Sequence, residues 1–342
     1  MRHVNIPIFI PHLGCPNQCV FCNQRTISGV TDFDPISVVD IIENALVTIP
    51  SDAEVEIAFF GGSFTGIDRG LMLSLLEIAD SYVKKGTVHS IRCSTRPDYI
   101  DDEIISILQK YGVNTVELGL QSISDKVLEV TKRGHYFEAE KKACELLVKS
   151  GIKLVGQMMI GLPSSDLDDE LATASFIINA GAREARIYPT VVFRDTELCQ
   201  MSLDGIYKAL TLDDAIKRSA AVLELFVEAK VNVIRIGLQS SNNLFDENSY
   251  FAGPNDAALG ELVIGELYYN RISRALQVLN PDPTDEITIL VSRGSLSKAI
   301  GQRRKNKNRL ANKYKHIRFA ESDGLSEFEI SVHINNGENK CI

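Results

Sequence analysis

The stretch EVEIAFF, residues 54–60, is followed along the chain by LMLSLLEIADSYVKK, residues 71–85. The first is short, β-branched and aromatic, which predicts a buried strand, and the second carries apolar residues at helical spacing. Similar pairs recur as far as about residue 237. The other predicted strands are NIPIFIP (5–11), VHSIRCS (88–94), NTVELGL (114–120), KLVGQMMIGL (153–162), EARIYPTVV (184–192) and VNVIRIGL (231–238). Six β/α units and one further strand predict a partial (β/α)6 barrel of parallel strands.

The composition is that of an ordinary folded protein, with 342 residues, 44% of them hydrophobic and 24% charged. No apolar run approaches the roughly 18 residues that a membrane helix needs. Residues 1–15 loosely resemble a secretory or lipoprotein signal, but two prolines interrupt them and more cysteines follow at once. We therefore expect a cytoplasmic protein without a membrane partner, whose seven cysteines are reduced thiols.

Three of the cysteines lie within eight positions, where the sequence reads CPNQCVFC. Cys15, Cys19 and Cys22 follow a C-x3-C-x2-C pattern on the loop that leaves the first strand. Three thiolates can ligate three irons of a [4Fe-4S] cluster and leave the fourth iron open to a ligand. The alternative is a zinc site completed by His12, His3 or a distant cysteine. The spacing favours the cluster, and zinc stays open as the alternative.

Other candidate residues follow the predicted strands, at the edge where ligands of a parallel sheet bind. Gly61 and Gly62 follow the second strand and, lacking side chains, let the backbone approach a ligand. Taken alone, a glycine pair after a strand is more often a turn than a binding site. The alternative for Arg133 is a solvated helix residue, and the alternative for Gln121 is a strand-end cap. The motifs are FFGGSF (59–64), STRPDYI (94–100), ELGLQSISD (117–125), KRGH (132–135), GLP (161–163) and ARIYPTVV (185–192).

The cysteine motif, with the aromatic Phe21 before its last cysteine, resembles that of the radical S-adenosylmethionine (radical SAM) superfamily, and so does the glycine pair. In that superfamily the open iron binds the amino and carboxylate groups of the methionine moiety, and electron transfer from the cluster yields a 5′-deoxyadenosyl radical. The resemblance spans residues 5–240. It implies a [4Fe-4S] cluster on the three cysteines, S-adenosyl-L-methionine, and an electron donor such as flavodoxin or ferredoxin.

The whole motif set is closely similar to that of the Elongator catalytic subunit, a tRNA-modifying radical SAM enzyme, and more distantly to oxygen-independent coproporphyrinogen oxidase. Ser63 takes the place of the usual acidic residue, and Gln157 replaces an aspartate that binds the ribose in the oxidase, so the ribose contact stays open. Gln121 and Arg133 are expected to contact the methionine carboxylate. The cofactor-binding residues implied are Phe21, Gly61, Gly62, Ser63, Ser94, Gln121, Arg133 and Gln157.

Several further residues have two interpretations. Cys144 lies on an apolar helical face and is expected in the core. Cys93 and Cys199 are expected near strand ends, as core residues or as a thiol that handles substrate. His135 is interpreted as a structural cap, and Tyr188 as a residue that faces the cavity and positions substrate.

A basic segment stands out from the net charge of −9, because residues 291–318 contain ten Lys or Arg and no Asp or Glu. The order strand, helix, tight loop, helix, strand over residues 287–319 resembles a KH RNA-binding domain, whose GXXG loop clamps the sugar–phosphate backbone. Arg304 replaces the second glycine and adds a cation for phosphates. The predicted RNA contacts are Gly301, Arg303, Arg304, Lys305, Lys307 and Arg309. The alternative is a solvated basic helix.

These patterns divide the chain into a radical SAM partial barrel (1–240), a helical linker region (241–284), a small α+β KH-like domain (285–334) and a frayed tail (335–342). We expect a radical SAM enzyme that modifies an RNA, either tRNA or rRNA. Since the sequence ends without room for the acetyltransferase domain of the Elongator subunit, acetyl-CoA-dependent carboxymethylation is not expected. Two alternatives stay open, namely small-molecule chemistry in tetrapyrrole or cofactor biosynthesis, and a non-catalytic RNA-binding protein with a structural metal.

Overall fold

The computed structural model describes residues 3–10, 13–15, 18–23, 26, 33–238, 248–335 and 340–341. Strands and helices alternate in its larger part as the sequence predicts. In chain order they are β1 (His3–Ile10), α1 (Val38–Thr48), β2 (Glu54–Gly61), α2 (Arg69–Lys84), β3 (Ser90–Thr95), α3 (Asp102–Lys110), β4 (Val113–Gln121), α4 (Asp125–Val130), α5 (Phe137–Lys149), β5 (Lys153–Ile160), α6 (Leu167–Asn179), β6 (Glu184–Pro189), β7 (Val192–Phe193), α7 (Glu197–Leu203), α8 (Leu212–Glu228), β8 (Asn232–Ile236), β9 (Tyr250–Ala252) and α9 (Leu259–Leu279).

Seven of these strands form one curled parallel sheet, in the order β1-β2-β3-β4-β5-β6-β8. The predicted partial barrel with its additional strand is therefore confirmed. The segment predicted as one strand over residues 184–192 is divided, because Pro189 ends β6 and β7 pairs with β9 in a separate ribbon. Since all seven strands run the same way, their carboxyl ends share one edge of the sheet.

The two faces of the barrel sheet differ in chemistry because successive side chains of a strand point to opposite faces. One face packs against the helices through fully buried apolar residues such as Ile57, Phe59 and Val116. The other face carries ionisable residues, and Glu117 and Arg92 are 1% and 3% exposed there. This inner face lies below the edge at which the predicted motifs end.

The C-terminal part contains β10 (Glu286–Ser292), α10 (Leu296–Ile300), α11 (Lys305–Ala311), β11 (His316–Ser322), β12 (Ile330–Asn335) and β13 (Lys340–Cys341). The predicted order of strand, helix, loop, helix and strand is confirmed over the first four. The sheet order is β11-β10-β12-β13. The sequence did not predict β12, and the tail predicted to be frayed supplies β13, which pairs with it.

The region predicted as a helical linker contains α9, which packs into two apolar cores. Its first half contributes Leu259, Val263 and Leu267 to the barrel core. Its second half contributes Ile272 and Leu276 to the core of the C-terminal sheet. No helix in the described ranges is long and apolar enough to cross a membrane.

Candidate active site at the carboxyl edge of the barrel

The cysteine loop follows β1 and lies at the carboxyl edge of the sheet. Cys15 is half-buried, with its Sγ 3.5 Å from the Ser63 hydroxyl, and Cys19 is 7% exposed. The amide of Cys22 donates to the carbonyl of Cys19 at 3.0 Å, which closes a turn between these two cysteines. The turn brings Cys19 and Cys22 together, and Cys15 lies against Ser63 just after the end of β2.

The alternative of a zinc site completed by His3 is wrong. His3 begins β1, whereas the three cysteines follow the other end of that strand. At about 3.3 Å per residue, the strand separates the two by roughly 23 Å. His3 instead pairs with Glu56 at 2.7 Å. His12 lies outside the described residues. Within the described ranges no three Cys, His, Asp or Glu side chains converge on a single metal ion. A [4Fe-4S] cluster does not require such convergence, because each thiolate binds a different iron.

The glycine pair at the end of β2 lets the cysteine loop pack closely against that strand. A Cβ atom at Gly62 would lie 2.2 Å from the carbonyl oxygen of Leu13, which is closer than any van der Waals contact. Next to it, the amide of Ser63 donates to the same oxygen at 3.2 Å. The predicted role in ligand approach stays a prediction, and the structure adds that Gly62 is required to hold the cysteine loop in place.

Cys19, Arg133 and Gln121 meet at the end of β4. The Arg133 Nη1 lies 3.3 Å from the Cys19 Sγ, and its Nη2 donates to the Gly119 carbonyl at 2.5 Å. The amide of Gln121 lies against the same Gly119. Gln121 has a left-handed backbone (φ 71°), which is strained for a residue with a side chain. Arg133 and Gln121 are buried, with exposed fractions of 5% and 7%. Arg133 is therefore not a solvated residue, and Gln121 is not a simple cap at the surface.

The donor set fits the two cofactors that the motifs imply. Among the described residues, Arg133 Nε and Gln121 Oε1 are buried side-chain atoms without a hydrogen-bond partner. One is a donor and the other an acceptor, which complements the carboxylate and ammonium of an amino acid. Cys19 lies beside Arg133, and together with Cys15 and Cys22 it can supply thiolates for iron. The residues present can therefore hold a cluster and the methionine moiety side by side.

The inner face of the sheet carries a network of buried charges that sequence analysis missed. Glu117 accepts from Arg92 at 3.0 Å and from Arg186 at 2.7 Å. Ser94 donates to the same carboxylate at 3.3 Å, and Arg186 donates to the Tyr188 hydroxyl at 3.1 Å. The sequence did contain a sign of this network, because several otherwise apolar strands each carry an ionisable residue, and a charge in a buried strand needs a partner.

Two predicted site residues are placed by this network. Ser94 and Tyr188 face the inner side of the barrel through their bonds to Glu117 and Arg186. Gln157 lies in the middle of β5, in register with Gly119 of β4 and Arg186 of β6. It is thus deeper in the barrel than Gln121, and the ribose contact stays open.

Three cysteines outside the loop are buried. Burial raises the pKa of Cys93 far above its ordinary value and that of Cys144 to about 12, so neither forms a thiolate at neutral pH. Cys199 lies in α7, not near a strand end as predicted, and burial raises its pKa as well. It packs in a small apolar cluster against which Phe21 also packs. Phe21 therefore anchors the cysteine loop.

A second group of charges behind Cys19 was also missed. Arg96 follows β3, is 4% exposed and directs Nη1 at the Cys19 Sγ, 4.0 Å away. His135 lies 3.2 Å from Arg96 and 3.2 Å from Glu140, so it joins this buried group. The sequence predicts a structural cap here, but the His135 ring contacts the side chains of this group, and Tyr136 is the N-cap of α5. Arg96 and His135 belong to the motifs STRPD and KRGH, which the sequence analysis had noted. Nothing in either motif indicated contact with Cys19, which is distant in the chain.

The predicted GXXG-like loop forms the turn between α10 and α11. Gly301 has φ 80°, and a Cβ there would lie 2.9 Å from Cγ of Asn306. Arg303 and Arg304 both have left-handed backbones, with φ of 52° and 62°, and both are exposed. The arginine that replaces the second glycine thus keeps the backbone region that glycine favours. Resemblance to a KH domain as a whole stays a prediction.

Arg309 does not belong to the exposed basic surface. Its guanidinium pairs with Glu266 at 2.6 Å and stacks on the Tyr269 ring at 3.4 Å, so it fastens α11 to α9. Lys305 has a long contact with Asp213 at 3.8 Å. In the part of the chain that the structure describes, no acidic group pairs with Arg303, Arg304 or Lys307. The RNA contact predicted for Arg309 stays a prediction, and the structure adds a counter-charge from the neighbouring helix α9.

With this geometry established, comparison with known proteins identifies the family. The family model described as "Radical SAM superfamily" matches residues 9–177, and the one described as "Radical_SAM C-terminal domain" matches residues 183–269. The chain belongs to the radical SAM superfamily and is a radical SAM enzyme. Its cofactors are those of the superfamily, a [4Fe-4S] cluster and S-adenosyl-L-methionine.

The relatives place it near the Elongator proteins. It is 33% identical over 187 residues to the tRNA uridine(34) acetyltransferase of Methanocaldococcus jannaschii, covering 48% of this chain and 34% of that protein. It is 33% identical over 256 residues to Elongator complex protein 3 of Mus musculus, covering 63% and 47%. The chain thus spans at most about half the length of either relative. Its fold matches that of Methanocaldococcus infernus Elp3 with an N-terminal deletion, with a TM-score of 0.61 and 23% identity over 80% of this chain and 63% of that chain.

Proposed function

We propose that this radical SAM enzyme modifies a nucleotide in RNA, that the RNA is a tRNA rather than an rRNA, and that it works in the cytoplasm. The main support for an RNA substrate is the exposed turn at Arg303 and Arg304. Both arginines have a left-handed backbone, and neither pairs with an acidic group among the described residues, so they are available to phosphates. The Methanocaldococcus jannaschii relative is named for tRNA, which favours tRNA over rRNA. Acetyl transfer is not part of the proposal, because the chain covers 34% of that relative.

In the proposed site, Cys15, Cys19 and Cys22 each hold one iron. When bound there, the cluster and S-adenosylmethionine would supply radical chemistry, with the electron provided by a donor such as flavodoxin or ferredoxin. Arg133 binds the methionine carboxylate through its free Nε–H, and Gln121 accepts from the ammonium through its free Oε1. This assignment refines the sequence prediction, in which both residues contact the carboxylate.

The inner face of the barrel is proposed to receive the nucleotide. Tyr188, Gln157 and Ser94 lie on this face, and hydroxyl and amide groups match the donors and acceptors along the edge of a base. An extruded nucleotide would reach them past the carboxyl edge of the sheet, where the cofactor site lies. Small-molecule chemistry remains the second candidate, since the same face could bind another polar substrate.

Nucleoside analysis tests the substrate class. Total tRNA and rRNA from cells with and without the gene are digested and compared by mass spectrometry. We expect one modified nucleoside to disappear from the tRNA fraction and to return when the wild-type gene is restored, but not with Cys19→Ala. Identical nucleoside profiles in both fractions would contradict the proposal and favour a small-molecule substrate.

The role of the basic turn is tested by the salt dependence of RNA binding. Each phosphate neutralised in single-stranded RNA contributes roughly 0.7 to the slope of log K against log salt. Replacing Arg303, Arg304 and Lys305 together by Ala should therefore flatten the slope by up to about 2, while iron content and uncoupled cleavage of S-adenosylmethionine persist. Saturating RNA should partly restore modification.

A matched control removes three exposed lysines from the outer helix α5, namely Lys141, Lys142 and Lys149. This variant has the same change in net charge but leaves the turn intact. If the two triple variants bind RNA with the same slope, the basic turn is not an RNA contact.

A further inference from the structure

Two guanidinium groups face the sulfur of Cys19, one of the three predicted cluster ligands. Arg133 Nη1 lies 3.3 Å away and Arg96 Nη1 lies 4.0 Å away. All three residues are buried, with exposed fractions of 4% to 7%. A thiolate at this position therefore lies in a partly desolvated place between two permanent positive charges.

The orientation of Arg96 is fixed by four contacts on its other sides. Asp98 accepts from Arg96 Nε and Nη2, both at 2.9 Å, in the two-pronged arrangement that orients a guanidinium most firmly. Nη2 also donates to the carbonyl of Arg133 and lies 3.2 Å from His135 Nδ1. The same residue thus holds the backbone of Arg133 and faces the sulfur of Cys19.

The counter-charge in this group is permanent as well. His135 lies 3.3 Å from Asp98 Oδ1 on one side and 3.2 Å from Glu140 on the other. Burial acts to raise the pKa of Asp98, but hydrogen bonds from His135 and Arg96 outweigh it and hold this pKa well below its ordinary value. Asp98 is therefore ionised in the folded protein and sets a negative charge beside the guanidinium of Arg96.

We propose that Arg96 is a positioning residue for Cys19, and that its fixed positive charge raises the reduction potential of the cluster ligated there. Reduction adds one electron, so a nearby cation stabilises the reduced state more than the oxidised state. Asp98 opposes this effect, because it brings a negative charge to the same group. The inference rests on the proposed ligation by Cys19 and gives a role to the STRPD motif that cofactor binding leaves unexplained.

The test is an EPR-monitored redox titration of the iron-loaded protein. Arg96→Ala removes the cation and should shift the midpoint potential to more negative values. Asp98→Asn removes the opposing anion and should shift it to more positive values, while Arg96→Lys keeps the charge and should stay near the wild-type potential. Two opposite shifts are expected from charge and not from a loss of packing.

Arg69→Ala is the matched control, because Arg69 forms an exposed pair with Glu103 on the outer helices and should leave the potential unchanged. If Arg96→Ala fails to load iron, the midpoint potential of Asp98→Asn still tests whether charge in this group sets the potential of the cluster. Wild-type potentials in both Arg96→Ala and Asp98→Asn would overturn this inference alone. Absence of an iron–sulfur signal from the reconstituted wild-type protein would instead overturn the proposed cluster itself.

Discussion

Arg133 offers the sharpest test of the cofactor site, because each nitrogen of its guanidinium has a different environment. Nη1 faces Cys19, Nη2 donates to the Gly119 carbonyl, and Nε is buried without a partner in the described structure. Arg133→Ala removes all three. If Nε–H binds the methionine carboxylate, the change deletes a charged hydrogen bond, which contributes about 1.5–3 kcal/mol. The dissociation constant for S-adenosylmethionine should then rise roughly 10- to 150-fold.

The assay is calorimetry of S-adenosylmethionine binding to the reconstituted protein under anaerobic conditions, with iron counted on the same sample. The three cysteines remain, so the iron content should stay near that of the wild type. The freed carbonyl of Gly119 should lower the free energy of unfolding by about 1–3 kcal/mol.

Lys132→Ala is the control for Arg133. Lys132 is the neighbouring residue, but it is exposed and pairs with Glu197 at 2.6 Å on the surface, so its loss should cost less than about 1 kcal/mol in stability and leave cofactor binding intact. If Arg133→Ala and Lys132→Ala bind S-adenosylmethionine equally well with equal iron, the assignment of Arg133 is refuted.

Three further predictions follow from buried groups. Cys19→Ala should abolish iron binding and deoxyadenosine production, because three ligands leave no redundancy; full activity under anaerobic conditions would refute the ligation. Glu117→Gln should lower the free energy of unfolding by about 3–5 kcal/mol in urea titrations, since two buried arginines lose their shared partner, whereas Glu103→Gln on the surface should cost under about 1 kcal/mol. Burial raises the pKa of Glu140 to about 7 from 4.5, so the folded state holds this proton more tightly than the unfolded chain. Stability from this group is full below pH 4.5 and is lost as the pH rises to 7, by roughly 3 kcal/mol. Glu140→Gln should remove this loss, and an unchanged pH dependence of urea unfolding would contradict it.

The local pattern of the sequence determined the barrel. Strand and helix periodicity depends on neighbouring residues, so the predicted strands at residues 54–60, 114–120 and 231–238 agree with β2, β4 and β8 to within two residues. The spacing of three cysteines in one loop is equally local. The motifs at strand ends were predicted to share one edge, because parallel β/α units leave no other arrangement.

What the sequence could not decide is which charges meet. Arg96 and Arg133 approach Cys19 from 77 and 114 residues away, and a lone arginine after a strand carries no mark of such a partner. The same holds for Arg309, which looked like one more cation of a basic surface until α9 placed Glu266 and Tyr269 against it. Charge is visible in a sequence, but whether a charge is paired, buried or free depends on contacts between distant segments. Those contacts exist only after the sheet has curled and the helices have packed, and for that reason the tertiary structure alone decided the surroundings of Cys19.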